Sequence, residues 1–449
     1  MGTQQAFTKT AMAALWDEVA ETTSINLTLS RSLEKWGMDE LSEMGRTAAA
    51  GQARGGTTDA ARLGNAQDVE WIPQEYRFTT RDGIVSSDSD FEDIIDRNIP
   101  VYRNRAKRIL ARINTRDLRD PMRRQKKMQG MSRDIANAID IDCYQTMINQ
   151  STMIVRSTNA FTYQDPINAE VLMLNRGLSA FDRNLYLANK DYAAVASSLG
   201  QNQYYGREGD ASIPRDALVK AMIPPLATFE TMRSDYLIQL PANSTSGITV
   251  NDASGIHEVA TYDSDGFYLD NRSQELTLSG ISATTFPVGT KFTIADVNAL
   301  HEETREDTGD LQTFTVVSAH ATTPRIQPAI VATGPYRNCV VGSTTAETAI
   351  ATIRSTLNGN AITILNTANS NPSLFYTPES TVLIPGRLPV PQDAGGVEVM
   401  EATTEQGLPM RFTYWYDPHN ELFQCKVLVF YDVQVIYPNM LGCIITSQT

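Results

Sequence analysis

The side chains best suited to nucleophilic, acid–base and zinc chemistry are scarce in this chain. Its 449 residues include four cysteines and four histidines. The cysteines lie far apart, at Cys143, Cys339, Cys425 and Cys443. There is no Cys-x-x-Cys pair and no histidine at metal-ligand spacing. This pattern predicts four buried thiols rather than a disulfide framework or a zinc site.

Segments that resemble catalytic or metal-binding motifs are each incomplete. The five acids between His301 and Asp310 lack the second histidine of a zinc helix, so we interpret them as a solvated loop, with an ionic contact site as the alternative. Asp263 and Asp265 form half the beginning of a calcium loop without its closing glutamate, which favours a hairpin tip. Phosphate-binding loops and Gly-x-Ser-x-Gly elbows are absent. We expect no catalytic residues, no metal and no cofactor.

The charge is concentrated in one segment. The chain has 38 Lys and Arg against 52 Asp and Glu, a net charge of −14. Twelve basic and two acidic residues lie between Val101 and Arg133, so this segment carries +10 and the remainder −24. The run is either a strip that meets an acidic partner or nucleic acid, or a solvated helix face. Because only Tyr102 interrupts it with an aromatic ring, base readout is disfavoured.

The composition is that of a globular protein. With 41% hydrophobic and 20% charged residues, the length predicts two to four domains of roughly 100 to 200 residues. The densest apolar run, from Lys426 to Tyr431, is far shorter than the ~20 residues of a membrane helix. The N-terminus lacks the pattern of a secretory signal, so we expect synthesis in a cytoplasm.

Helical periodicity predicts the elements that must position these charges. Residues 11–19 form a short amphipathic helix whose apolar face docks onto another surface through Met12, Leu15, Trp16 and Val19. Asp120 and Pro121 are typical of a helix start, and an apolar stripe from Met128 to Met147 predicts one long helix to about residue 153. Cations in its first turns oppose the helix dipole, which favours an external anionic partner.

The remaining sequence patterns predict helix-rich and strand-rich segments along the chain. Residues 47–64 predict an exposed loop, and further helices are expected at 168–175, 190–199 and 345–357, with a helix or turn at 214–226. Short β-branched or aromatic alternations at 248–250, 267–269, 275–278, 291–294 and 313–317 predict a small all-β sandwich or barrel inserted between mixed segments. The C-terminal third is strand-rich, at 412–416 and 427–436.

Several short motifs occur in a family-like order along nearly the whole chain. They are Trp71-Ile72-Pro73, Asp117-Leu118-Arg119-Asp120, Ser246-Gly247-Ile248-Thr249-Val250, Asp263-x-Asp265-Gly266 followed by Asp270-Asn271-Arg272, and Thr313-Phe314-Thr315-Val316-Val317. With the order of parts, they resemble the major capsid proteins of tailed double-stranded DNA phages with the Hong Kong ninety-seven fold. The branch they resemble is the P-twenty-two-like coat proteins of short-tailed Salmonella phages.

The resemblance implies an α+β fold with an inserted small β-barrel and a definite division of the chain. The implied parts are an N-terminal arm (1–44), an extended loop (45–100), a peripheral domain with the spine helix (101–155), an axial domain (156–240), the inserted β-barrel (241–340), the axial return (341–375), peripheral return strands (376–412) and C-terminal strands (413–449).

The resemblance also implies partners and contact residues. The chain would form hexamers and pentamers of an icosahedral head, assembled in the bacterial cytoplasm with a scaffolding protein and a portal, and would expand on packaging double-stranded DNA held by non-specific contact, with decoration proteins as further partners. Asp263, Asp265 and Arg272 would contact a neighbouring capsomer. The basic assembly strip is placed at Arg119, Arg123, Arg124, Lys126 and Lys127, and the scaffold contact at Met12, Leu15, Trp16 and Val19.

Two other functions stay open at this point. One is an encapsulin-like compartment shell, which shares the fold but usually lacks an inserted barrel. The other is a β-rich surface adhesin or glycan-binding protein, favoured by the acidic pI and the aromatic residues Tyr414, Trp415 and Tyr416. The long basic helix and the lack of a secretory signal count against the adhesin.

Overall fold

The structure is a computed structural model of the full chain. The residues it describes are 9–35, 69–74, 76–78, 97–102, 105–114, 120–202, 225–234, 236, 238–252, 270–282, 286–343, 350–386, 397–417, 419–420 and 422–448. The expected loop at 47–64, the strand at 267–269 and nearly all of the segment 214–226 lie outside these residues.

The described residues contain helices and strands in a mixed order. The helices are α1 (Lys9–Asn26), α2 (Pro121–Gln150), α3 (Gln164–Asn175), α4 (Asn189–Asn202) and α5 (Ile350–Leu357). The first strands are β1 (Glu34–Lys35), β2 (Val69–Pro73), β3 (Asn98–Tyr102), β4 (Arg105–Asn114), β5 (Met153–Arg156), β6 (Arg183–Leu187), β7 (Phe229–Arg233), β8 (Thr249–Asp252), β9 (Gln274–Glu275) and β10 (Thr277–Ser279). The remaining strands are β11 (Lys291–Leu300), β12 (Asp307–Ser318), β13 (Arg325–Gln327), β14 (Cys339–Val341), β15 (Ile362–Ile364), β16 (Ser373–Tyr376), β17 (Thr381–Gly386), β18 (Glu398–Thr403), β19 (Pro409–Asp417), β20 (Leu422–Val435) and β21 (Leu441–Ile445).

The chain divides into two compact units, each built from separate stretches of sequence. The first unit comprises Met1–Glu70, Val101–Tyr144 and Val382–Gln434, and the second comprises Trp71–Pro100, Gln145–Thr381 and Val435–Thr449. Each unit is therefore built from stretches near both ends of the sequence, and the chain leaves and re-enters each unit.

The first unit is organised around the long strand β20. The sheet runs β1-β17-β20-β19-β18, and β4 also pairs with β20 along ten residues. Helix α1 lies against this sheet, where the Trp16 ring stacks on Phe412 with centroids 4.3 Å apart. Trp16 and Val19 are each 1% exposed. The predicted docking of the N-terminal helix is therefore satisfied, for these two side chains, within the unit.

A buried carboxylate ties the segment after α1 to the long helix α2. Asp140 is 0% exposed and accepts hydrogen bonds from the backbone N–H groups of Thr28, Leu29 and Ser30. The hydroxyls of Thr28 and Ser30 donate to the same carboxylate, at 2.8 and 2.7 Å. A buried charge with this many donors holds its two elements in one register.

The predicted stripe of α2 is confirmed, because Met128, Met131, Ile135, Ile139, Cys143 and Met147 are all buried. Gly130 lies within the continuous helix. The helix ends at Gln150, three residues before the predicted end, and β5 begins at Met153.

The second unit contains a five-stranded mixed sheet in the order β5-β21-β16-β6-β7. Helices α3 and α4 contribute Met173 and Val195 to the core on this sheet. Gly442 on β21 faces Phe375 on β16, and a Cβ atom there would lie 2.1 Å from the Phe375 ring. Only glycine permits this close approach between the strands.

The same unit contains the predicted β-rich segment. Its sheet is antiparallel, in the order β14-β11-β12-β13-β9 with β15 on β11, and β8 pairs with β10 in a separate ladder. Phe286, Phe292 and Phe314 form an aromatic chain in its core, with centroids 5.4 and 5.6 Å apart. The short strands are confirmed where described, and closure into a barrel stays a prediction. Residues 307–310, expected in a loop, instead begin β12, while Glu302 makes the ionic contact of the alternative interpretation, pairing with Arg77 at 3.0 Å.

Candidate interaction surfaces

The basic segment begins as a strand rather than a helix, and its cations lie on two faces. Along β4, half-buried or buried residues of one face alternate with exposed residues of the other face. On the inner face, Arg105 Nε lies 3.2 Å from Asp432 Oδ1 and Lys107 Nζ lies 2.9 Å from Asp142. These two cations are therefore neutralised within the first unit.

The ion pair between Lys107 and Asp142 is supported by a tyrosine hydroxyl. Tyr431 is fully buried, and its hydroxyl donates to Asp142 Oδ2 at 2.8 Å. Burial, followed by the Asp142 charge, raises the pKa of Tyr431 well above its usual range. The phenol consequently stays a donor at any physiological pH and holds the carboxylate that Lys107 needs.

The outer face of β4 is exposed, and its Arg108 and Arg112 form no close ion pair with a carboxylate of the described residues. Arg108, Leu110 and Arg112 are all exposed, and Leu110 is 62% exposed. Arginine side chains next to an exposed apolar side chain are suited to a contact with another macromolecule. The exposure of Leu110 has no clear signal in the sequence, because the adjacent Ile109 hides the alternation of the strand.

The first turns of α2 supply further cations. Asp120 Oδ1 accepts the Met122 N–H at 3.0 Å, which confirms the predicted helix start. Arg123 pairs with Asp120 at 3.5 Å but remains 67% exposed, and Lys126 is exposed. Met122 is also 67% exposed. Arg119 and the side chain of Arg124 lie outside the described residues, and Lys127 is half-buried.

We call the exposed members of these two elements the basic surface. It consists of Arg108, Leu110, Arg112, Met122, Arg123 and Lys126. All belong to the first unit. It retains Arg123 and Lys126 from the predicted assembly strip and adds two arginines and two apolar side chains from residues that the strip did not include.

The predicted capsomer contact is described only in part. Asp263 and Asp265 lie outside the described residues. Arg272 is 9% exposed in its side chain and forms two bonds to Asp270, at 3.0 and 2.9 Å. Its Nη1 also donates to the Val435 carbonyl at 2.6 Å. Burial is the largest single influence on the pKa of Asp270 and raises it. The charge and hydrogen bonds of Arg272 outweigh this effect, so the pKa of Asp270 lies below its usual range.

Arg272 is thus committed to contacts within its own chain. The predicted scaffold contact is similarly divided, because Trp16 and Val19 are buried while the side chains of Met12 and Leu15 lie outside the described residues.

The described residues hold no arrangement suited to metal or thiol chemistry. Among them, no group of three or more His, Cys, Asp or Glu side chains is placed to bind a metal ion. All four cysteines are free and buried, as predicted. Burial raises the pKa of Cys339 to about 12 and that of Cys425 to about 11, which keeps both as unreactive thiols. Among the helices of the described residues, none combines the length with the apolar composition that a membrane span requires.

Comparison with known proteins identifies the class of protein to which this chain belongs. Residues 13–446 match the model of a family described as "P22 coat protein - gene protein 5". The protein is a major capsid protein of a tailed phage, a subunit of the virion shell. It belongs to the P22 coat protein family, and this membership confirms the resemblance at the level of that family and disfavours the encapsulin and adhesin interpretations.

Solved structures provide further similarities. A structure from Mycobacterium phage Che8 has 8% identity and a TM-score of 0.41, with 86% of this chain and 87% of that chain covered. The capsid structure of cyanophage P-SCSP1u has 8% identity and a TM-score of 0.39, covering 85% and 84%. The CUS-3 coat protein I-domain is 35% identical over 27% of this chain and 98% of its own, with a TM-score of 0.20.

Proposed function

We propose that copies of this chain assemble into the hexamers and pentamers of an icosahedral head that encloses double-stranded DNA. Assembly takes place in the bacterial cytoplasm around a scaffolding protein with a portal, and the shell expands on packaging. The observation that carries the proposal is the family match over residues 13–446, nearly the whole chain. The spine helix α2 and the extended loop at 45–100 are the parts that move.

The division of charge is the means by which copies recognise one another. The basic surface combines cations with exposed Leu110 and Met122, while the chain outside residues 101–133 carries −24. Complementary charges set register and orientation between subunits, and apolar contact supplies most of the affinity. The internal pairs of Arg105 and Lys107 support this assignment, because they leave the outer face of β4 as the available basic face.

The hairpin of the inserted β-barrel supplies the acidic side of a contact between capsomers. We assign this role to Asp263 and Asp265. Arg272 supports the hairpin from within, since its bonds to Asp270 and to the Val435 carbonyl fix the chain that leaves the hairpin. The scaffold contact is assigned to Met12 and Leu15, because Trp16 and Val19 are used in the core.

Charge reversal of the hairpin tests the proposal. The double variant D263K/D265K should remain folded by circular dichroism and fail to form closed shells in electron micrographs. The matched control is E303K/E306K, which changes the net charge equally at two exposed glutamates of the same unit. Normal particle yield from D263K/D265K, or equal loss in the control, would contradict the assigned contact.

A further inference from the structure

A cavity within the second unit is lined by six arginines from distant parts of the sequence. Its volume is about 210 Å³, and the arginines are Arg77, Arg97, Arg176, Arg272, Arg305 and Arg337. In sequence order, they lie in the segment after β2, directly before β3, directly after α3, and in the segments before β9, β12 and β14. We call this feature the arginine cavity.

The described carboxylates do not balance this charge. Glu302 and Glu379 line the cavity, and Asp270 is bound to Arg272. Glu302 pairs with Arg77 and also accepts a bond from Asn439. Six guanidinium groups thus face three carboxylates among the described residues.

Two of the remaining arginines bond to backbone oxygens. Arg305 Nη1 donates to the Arg337 carbonyl at 2.5 Å, and Arg337 Nη2 donates to the Arg305 carbonyl at 2.9 Å. This reciprocal arrangement holds each guanidinium at the backbone of the other residue without neutralising either charge. Like charges held close together in a partly enclosed space favour the entry of a counter-charge.

Arg176 shows the imbalance most directly. It is 7% exposed, and its Nη1 donates to Gln312 Oε1 at 2.7 Å. Its Nη2 is buried and has no hydrogen-bond acceptor among the described residues. Burial lowers the pKa of Arg176 to about 10. A buried donor on a charged group costs about 1 to 3 kcal/mol or more when it is unpaired.

Arg97 repeats the pattern on the cavity wall. Its guanidinium lies 4.9 Å from the centroid of the Tyr336 ring, and its Nη2 reaches the Asn271 carbonyl at 3.5 Å. Its Nε atom is buried without an acceptor in the described part of the chain. The ring contact orients the guanidinium plane, so the donor that it leaves unpaired has a fixed direction.

We propose that the arginine cavity binds a small multivalent oxyanion of the phosphate class, inorganic phosphate or pyrophosphate, with Arg176 and Arg97 as the principal ligands. Guanidinium forks match the geometry of phosphate oxygens and bind them through paired, charge-assisted hydrogen bonds. The volume is below the ~300 to 1,000 Å³ of sites for larger organic ligands, which favours a compact anion. The bound anion would join segments that are remote in sequence and stabilise the second unit by mass action.

Equilibrium dialysis of the purified full-length chain against radiolabelled inorganic phosphate tests this inference. Ionic strength is held constant with chloride, so that general screening does not vary. The wild type should take up one phosphate per chain in a saturable manner. R176M and R97M should bind at least ~10-fold more weakly, as expected when about 1.4 kcal/mol or more is lost. R354M, an exposed arginine on α5 that does not line the cavity, should bind as the wild type does.

A second variant covers the case in which R176M does not fold. R176K keeps the charge but loses the planar fork, and it should also weaken phosphate uptake while its circular dichroism matches the wild type. Absence of saturable uptake by the wild type would overturn the inference and would mean that carboxylates of the protein itself meet the charge. Equal uptake by every variant would overturn it as well.

Discussion

The Lys291 ammonium caps the C-terminal end of the long helix α2 through Ser151. Its Nζ lies 2.7 Å from Ser151 Oγ and 3.1 Å from the Ser151 carbonyl oxygen. It also donates to the Ile148 carbonyl at 2.5 Å and to Thr315 Oγ1 at 3.0 Å. Lys291 is 0% exposed. A cation at this end of a helix meets carbonyls that have no partner within the helix, so the first residue of β11 is joined to the end of α2.

Replacement of this ammonium should destabilise the second unit. K291M removes the ammonium donor to the Ile148 and Ser151 carbonyls and leaves them only the hydroxyls of Ser151 and Thr315, a loss of about 2 to 3 kcal/mol. Burial lowers the pKa of Lys291 to about 8, so the amine is still mainly protonated at pH 7. Urea unfolding of K291M at pH 7 measures the loss. K190M, at an exposed lysine of α4, should change the free energy of unfolding by less than ~0.5 kcal/mol. A K291M variant as stable as the wild type would show that the cap contributes nothing.

Removal of the Trp16 ring should release α1 from the sheet of the first unit. Trp16 is 1% exposed and stacked on Phe412 at 18° between planes. W16A should therefore cost about 3 to 5 kcal/mol in free energy of unfolding, the usual range for a buried aromatic residue. The control is F181A, where the side chain is 80% exposed. If W16A unfolds at the same denaturant concentration as the wild type and fails only with scaffolding protein, Trp16 is a scaffold contact after all.

Asp191 should make the second unit less stable as the pH rises towards neutrality. Burial raises the pKa of Asp191 to about 6, only partly opposed by the hydroxyl of Ser373, which donates to the carboxylate at 2.6 Å. Because the folded-state pKa lies above the unfolded value of 3.8, the protonated form is favoured in the fold. Its stabilising contribution is complete below pH ~4 and is lost as the pH rises through 6.

D191N removes this dependence, because an amide keeps an acceptor for Ser373 without a charge. The difference in free energy of unfolding between D191N and the wild type should grow in favour of the variant from pH 4 to pH 7, reaching about 3 kcal/mol. D134N, at an exposed position of α2, should track the wild type across the same range. A constant difference between D191N and the wild type from pH 4 to 7 would contradict the buried-carboxylate explanation.

Reversal of the outer face of β4 should separate folding from assembly. Arg108 and Arg112 are exposed, so R108E/R112E should leave the unfolding transition within ~1 kcal/mol of the wild type and abolish particles. The control K190E/R354E makes the same change in net charge at exposed helix positions of the second unit. Sedimentation analysis quantifies assembly in both. Normal particles from R108E/R112E would show that the basic surface is not a subunit contact.

The helix that carries the charge was predictable from the sequence because its information is local. Asp120 caps the first turn, and the apolar residues from Met128 to Met147 recur every three or four positions. Local sequence patterns did not predict which cations of β4 are neutralised within the protein. There, Arg105 and Lys107 lie on the half-buried face, and the carboxylates that neutralise them, Asp432 and Asp142, are remote in sequence.

Contacts between residues that are distant in sequence account for the other features that the sequence did not predict. The pattern of α1 predicted an apolar face that docks, but it does not distinguish the chain's own Phe412 from a partner. Lys291 stands in an ordinary strand pattern, and its acceptors at the end of α2 lie about 140 residues earlier. The arginine cavity has no sequence signal either, since its six arginines are spread from Arg77 to Arg337 and only the fold brings them together.

Electron microscopy of the purified wild-type chain tests the central claim most directly. Negative-stain micrographs, recorded with and without co-expressed scaffolding protein, should show closed shells or rings of capsomers. Particles of uniform diameter with scaffold, and rings or irregular shells without it, are the predicted result for a capsid subunit. A chain that stays monodisperse and monomeric in both preparations, at every protein concentration, would contradict the assignment of this protein to a self-assembling shell.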